Sequence, residues 1–222
     1  ETVILGDTHI GEEEALNDQG IFVPKFAFKD LYKRTQKALD ELNPERIIVN
    51  GDIKHNFGYI NDDEWDNFIT YIELLSQYGS IDIIQGNHDV LLEPIMDQAD
   101  LTVETAITLD DTFICHGHEQ VHSDWFDDAS TIVLGHEHPA VTLRRGERNE
   151  QYKAFVKGML GDKTVILMPS MNQLREGSDV LQEQLLSPYL TEFDLMGAQV
   201  FLVGEDKELK AFGELRHLRD IA

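Results

Sequence analysis

Apolar, β-branched runs recur at 2–5 (TVIL), 47–49 (IIV), 81–84 (IDII), 112–115 (TFIC) and 131–134 (TIVL), and each predicts a short buried strand. Between the first three lie 29–42 (KDLYKRTQKALDEL) and 62–78 (DDEWDNFITYIELLSQY). Their apolar residues fall near helical spacing behind acidic starts, which predicts two helices. Strand, helix, strand, helix implies an α/β fold with a largely parallel sheet. After about residue 140 the pattern changes to "AVTLRRGE", "QYKAFVKG", "KTVILMPS" and "AQVFLVGEDKELKAFG", short runs with turn signals. These predict antiparallel strands and hairpins in a second sheet packed on the first. No Pro-, Gly- or Ser-rich linker and no repeat interrupts residues 1–222, so one domain is expected.

The polar residues that follow the strands carry more information than the strands. Asp7 and His9 stand in "GDTH", Asp52 in "NGD", Asn87 in "GNHD", His116 in "CHGH", and His136 and His138 in "GHEH". Ligand sites in open α/β sheets gather at the carboxyl ends of strands, so these residues are expected to converge. Residues 10–30, with Gly11, Gly20 and Pro24, make a long connection that leaves from the same end. It is expected to form a rim or lid around the site.

Composition narrows the classes. Hydrophobic residues make up 41% of the 222, which places the chain among globular proteins despite its charge. With 42 acidic against 18 basic residues the net charge is −24, the reverse of an avid nucleic-acid binder, although a local basic groove remains open. No apolar run approaches the ~18 residues of a membrane span. Cys115 is the only cysteine, which excludes an intrachain disulfide and, with no signal-like start, predicts a cytoplasmic setting. Cys115 itself reads as a buried small apolar residue.

Asp, His and Asn without cysteine form a hard-to-borderline ligand set, suited to Mn, Fe or Zn rather than to a structural thiolate zinc site. Seven such residues are too many for one ion. Two divalent ions about 3.5–4 Å apart would use them all and clamp a phosphoryl group from both sides. Asp52, on a strand central to the set, is the expected bridge.

In this order, "GDTH", "GDIKH", "GNHD", "CHGH" and "GHEH" resemble the five signature motifs of the calcineurin-like metallophosphoesterases. The resemblance covers about residues 2–140 directly and implies a four-layer αββα sandwich of two mixed sheets flanked by helices. It implies that one ion takes Asp7, His9, Asp52 and His138, and the other Asp52, Asn87, His116 and His136. It further implies that His88 sits beside the scissile phosphate, stabilising charge or protonating the leaving oxygen, that Asp89 orients its imidazole, and that metal-activated water attacks in line.

"GDIKHNFG", "GHEHPAV" and "VILMPSMNQLREG" resemble the prokaryotic branch of small SbcD-related, ICC-like phosphoesterases, which includes DNA-ligase-associated members. Protein Ser/Thr phosphatases carry an arginine soon after the bridging aspartate, where this chain has Lys54, His55 and Asn56. SbcD-type nucleases are longer, with a DNA-binding cap for which this chain has no room.

His55, His118 and Lys54 neighbour ligands and are candidate substrate contacts or supports. Arg144, Arg145 and Arg148 form a basic cluster read as a solvated hairpin tip. His122, Trp125 and Phe126 read as a short helix with its aromatics in the core. The expected function is a dinuclear metal-dependent phosphodiesterase, with Mn ahead of Zn or Fe, acting as a nuclease or on a small phosphodiester. The alternatives are a nucleotide or sugar-nucleotide pyrophosphatase or phosphomonoesterase, and a non-catalytic metal-binding module of a DNA-repair assembly.

Overall fold

The computed structural model describes residues 1–57, 61–90, 92, 101–121, 123–145, 148–204 and 208–218. The chain divides into two compact units, one of residues 1–105 with 171–174, the other of residues 106–170 with 175–222.

In the first unit β1 (Thr2–Leu5), β2 (Arg46–Asn50), β3 (Ser80–Ile84) and β4 (Val103–Glu104) form a sheet in that order, parallel at every pair. Leu5 pairs with Val49, and Val49 with Ile83, so three strands end level with one another. Parallel neighbours need crossovers, and the first two here are helical. α1 (Glu12–Asp18) and α2 (Ala27–Leu42) lie between β1 and β2, and α3 (Asp62–Ser76) lies between β2 and β3. α2 buries Ala27, Leu31, Thr35 and Leu39, one stripe at four-residue spacing, and turns its charged residues outward. α3 begins at Asn61, whose side chain accepts from Glu64 N at 2.7 Å. The helices meet where Thr35 Oγ1 lies 3.0 Å from the Tyr71 hydroxyl, above a core that includes Leu39, Ile47, Val49, Phe68 and Ile83. Within the long connection 10–30 lies α1, whose Glu12, Glu13 and Glu14 are buried.

The second unit holds a mixed sheet in the order β11-β8-β9-β10-β7-β6-β5, with β12 added beside β9 and β13 beside β12. Its strands are β5 (Ala106–Leu109), β6 (Thr112–Cys115), β7 (Thr131–Leu134), β8 (Pro139–Arg145), β9 (Arg148–Leu160), β10 (Lys163–Leu167), β11 (Ser178–Asp179), β12 (Gln199–Val203) and β13 (Leu209–Glu214). The hairpins expected after residue 140 are present: β8 with β9, β9 with β10, and β12 with β13 are antiparallel.

The boundary between the sheets differs from the expected one. The strands at 112–115 and 131–134 belong to the second sheet, which starts with the hairpin β5–β6, where Ala106 pairs with Cys115. An apolar run of four residues looks the same in either sheet. The turn at Asp110–Asp111, with Asp110 at φ 53°, decides the assignment by folding the chain back on β5. β6 and β7 are parallel, with Cys115 opposite Leu134, so the residues after them emerge side by side.

Phe113, Ile132, Leu134, Val165 and Leu167 centre the larger core of this unit, into which Phe126 packs, while Trp125 in the helix Asp124–Asp128 stays exposed. His122 lies outside the described residues. Cys115 is buried, which pushes its thiol up to about 12, as expected of an apolar core position. No described helix is long and apolar enough to cross a membrane.

Candidate metal centre

In the first unit the three level strand ends release the residues of interest, and their loops are laced together. Asp7 N donates to Gly51 O at 3.1 Å, His9 N to Asp52 O at 2.9 Å, and Ile10 N to Ile53 O at 2.7 Å. Thr8 adds its hydroxyl to Ile53 O at 2.9 Å. Asp7, His9 and Asp52 are buried, and each brings a ligand atom within 4.8 Å of the others. His9 Nε2 lies 3.6 Å from Asp52 Oδ2. Burying two carboxylates and an imidazole this closely is costly unless a positive charge or a proton offsets it, so the donor set fits a divalent cation.

Left-handed backbone marks the same positions. Asp7, His9 and Asp52 in this unit, and His136 and His138 in the other, have φ between 43° and 63°. Each departs from the ordinary preference of a non-glycine residue, and such strain collects where side-chain aim matters more than local comfort. Gly86 is required for a different reason, because a Cβ there would stand 2.2 Å from Asp52 N.

Asn87 and His88 occupy the turn after β3 and are half-buried. His88 N donates to Asp52 Oδ1 at 2.9 Å, and its Nε2 lies 3.9 Å from Asp52 Oδ2. Its Nδ1 meets the His55 carbonyl, and the Phe57 ring packs against its imidazole with centroids 3.8 Å apart. Asp89, fully buried, accepts from Gly86 N at 2.9 Å, Ile53 N at 3.1 Å and Lys54 N at 3.3 Å, so its carboxylate ties the loop after β2 to the loop after β3.

Lys54 is also buried, with its ammonium on the Asn56 carbonyl. Burial pushes it below its ordinary value against the pull of Glu64, Asp89 and Asp52. His55 is half-buried, its ring 5.5 Å from that of His88.

Two supports of this half were missed in the sequence. Glu64, on α3 and fully buried, accepts from His55 N and Asn56 N at 3.2 Å each and from Asn56 Nδ2 at 3.0 Å. Asn172 donates its side-chain amide to His9 O at 3.1 Å. Neither position has a local signature; "DDEWD" reads only as a helix start.

In the second unit the register of β6 against β7 sets His116 and His136 together, with ring centroids 5.2 Å apart and ligand atoms within 4.8 Å. His118 joins them, 5.3 Å from His116, with Nε2 3.8 Å from Glu119. His138, half-buried, directly precedes β8. Between the two histidines, buried Glu137 accepts from Leu186 N at 2.9 Å and Ser187 N at 2.5 Å. The sequence reading passed over Glu137 too. Arg144 and Arg148 lie exposed near the β8–β9 turn.

The calcineurin-like phosphoesterase model matches residues 2–195, across both units. The chain belongs to the calcineurin-like phosphoesterase family. It has that family's α/β fold and is a hydrolase of phosphoester bonds. Among solved structures it is similar to the nuclease MPE of Pseudomonas putida, at 18% identity over 94% of this chain and 86% of that one, with a TM-score of 0.66. It also matches the phosphoesterase YfcE of E. coli, at 11% identity over 94% of this chain and 95% of that one, with a TM-score of 0.44. No curated protein sequence matches the chain.

Proposed function

We propose that this family member is a dinuclear phosphodiesterase whose catalytic domain spans both units. Asp7, His9, Asp52 and His138 hold one divalent ion, and Asp52, Asn87, His116 and His136 the other, with Mn ahead of Zn or Fe. When bound, the ions supply Lewis acidity and activate the attacking water. The observation that carries the reading is the placement of His88 beside Asp52, with Nε2 3.9 Å from its carboxylate, while Asp7, His9 and Asp52 gather ligand atoms within 4.8 Å. That puts an imidazole next to the expected bridging ligand, where a leaving oxygen needs a proton or a positive charge.

Asp52 has a second duty, since its carboxylate receives His88 N, so bridge and acid move as one body. Asp89 acts through the backbone, holding the two loops in register. Lys54, only 1% exposed, serves the same loop as an internal support and not as a substrate contact. His55 and His118, both partly exposed, are the better candidates for touching substrate.

A nuclease is the first substrate reading, because the solved structure with the TM-score of 0.66 is a nuclease. A small phosphodiester is the second, favoured by the net charge of −24, which repels a polyanion. The deciding experiment strips the metal, reloads with Mn and offers labelled single-stranded DNA at low salt beside a nucleotide diester, with Asp52→Ala in parallel. Metal-dependent DNA cleavage that Asp52→Ala abolishes supports the nuclease. Turnover of the diester alone supports the small substrate. Activity surviving in Asp52→Ala would overturn the mechanism.

A further inference from the structure

The loop from Lys54 to Phe57 follows Asp52 by two residues, and its backbone N–H groups are held by residues outside the candidate ligand set. From α3, Glu64 grips its backbone through His55 N and Asn56 N and its side chain through Asn56 Nδ2. Gly11 leaves room for this grip, since a Cβ at that position would stand 2.7 Å from the Glu64 carboxyl. His55 N is shared, also donating to Ile10 O at 2.8 Å. The loop so held presents two groups to one imidazole: the His55 carbonyl at Nδ1 and the Phe57 ring across the face, tilted 34°.

We infer that Phe57 is a positioning residue for His88, completing a cradle that fixes which ring nitrogen faces the reacting group. A carbonyl oxygen only accepts, so the His88 nitrogen that meets it carries hydrogen. Nε2 is left to face Asp52 and the substrate. A hydrogen bond at one nitrogen still allows the ring to swing about that contact, and the aromatic face blocks the swing. Phe57, though 53% exposed, lays a face of its ring on the His88 imidazole, with centroids 3.8 Å apart. The inference rests on the reading of His88 given above, and the two fail separately.

The test compares Phe57→Ala, Phe57→Tyr and His88→Ala in Mn-loaded enzyme, using a nitrophenyl diester and a diester with an unactivated alkoxide leaving group. General-acid help matters most for the poor leaving group. Phe57→Ala is expected to lower kcat on that substrate by roughly tenfold or more, part of the range such catalysis commands. It should lower kcat on the nitrophenyl ester far less and leave KM within about twofold, and Phe57→Tyr should restore the rate.

A second readout needs no turnover: 15N shifts of the His88 ring in metal-free protein, assigned by their loss in His88→Ala. Phe57→Ala is expected to move them toward the tautomer mixture of free imidazole. Unchanged shifts, or a KM rise with kcat intact, which would mark Phe57 as a substrate-stacking surface, overturn the inference. Full activity in His88→Ala overturns the parent reading instead, and the shifts then decide the cradle alone.

Discussion

The two units build their ligand loops by one device used in two ways. In each, candidate ligands follow strand ends, with Asp7, His9, Asp52, His136 and His138 on left-handed backbone, and a buried carboxylate beside them gathers backbone N–H groups: Asp89 in the first unit, Glu137 in the second. In the first unit those N–H groups belong to loops that themselves carry ligands, Gly86 before Asn87 and Ile53 after Asp52. In the second they belong to Leu186 and Ser187, a segment about fifty residues further along. The carboxylate brace of the acidic half is thus local to its own loops, while that of the imidazole half reaches a remote stretch of chain. Self-bracing suits the half that must hold two carboxylates close together, because repulsion there is strongest in the absence of an ion.

The comparison can be broken most severely at Gly86. Gly86→Ala would drive a methyl group into the backbone of Asp52, which cannot yield as a side chain end can. We expect loss of metal-dependent activity and destabilisation of about 3 kcal/mol or more by chemical denaturation. At Gly117 in the second unit, φ is 100° and the nearest obstacle is the Leu134 side chain at 3.3 Å. Gly117→Ala should therefore cost only about 1–3 kcal/mol. Equal losses would erase the asymmetry.

Next come the carboxylates. Asp89→Asn can keep its oxygen on Ile53 N and Lys54 N but turns an amide on Gly86 N, costing roughly 1–3 kcal/mol, the cost of one buried unsatisfied donor. Its Mn affinity, measured by calorimetry, should fall with stability. Glu137→Gln should cost about half as much and loosen residues 186–187 first, visible as faster amide exchange there. In the core of the first unit, Leu39→Ala is expected to cost about 2–5 kcal/mol without changing Mn stoichiometry, which separates fold from site.

The smallest effect should come at Glu14, buried on α1, where desolvation leads among the causes that raise its carboxyl above the ordinary value. A raised folded pKa means the folded state binds the proton more tightly. Stability therefore falls as pH rises from the unfolded value through the folded one, and the penalty is full at neutral pH. Glu14→Gln should raise the Tm slightly at pH 7 and not at all near pH 4.

Much of this was legible in one dimension. The strands at 2–5, 46–50 and 80–84 and the helices α2 and α3 follow from apolar periodicity, and the five motifs name the family before any coordinate is known. The division of strands between sheets was not legible, because four apolar residues carry no mark of the neighbour they pair with. Nor were Glu64, Phe57, Asn172 and Glu137, whose roles exist only through contacts. Asn172 reaches His9 across 163 positions of sequence, a distance over which no local pattern extends.

By itself, then, the order of residues determined the chemistry: which side chains can ligate and which imidazole stands ready beside them. Those are properties of residue types at short spacing, set by covalent geometry and local sterics. Only the tertiary structure decided how the ligands are aimed. The left-handed turns at Asp7 and His9 are held by the backbone of the loop after β2, and that loop in turn by the carboxylate of Asp89, support that comes from residues far apart in the chain.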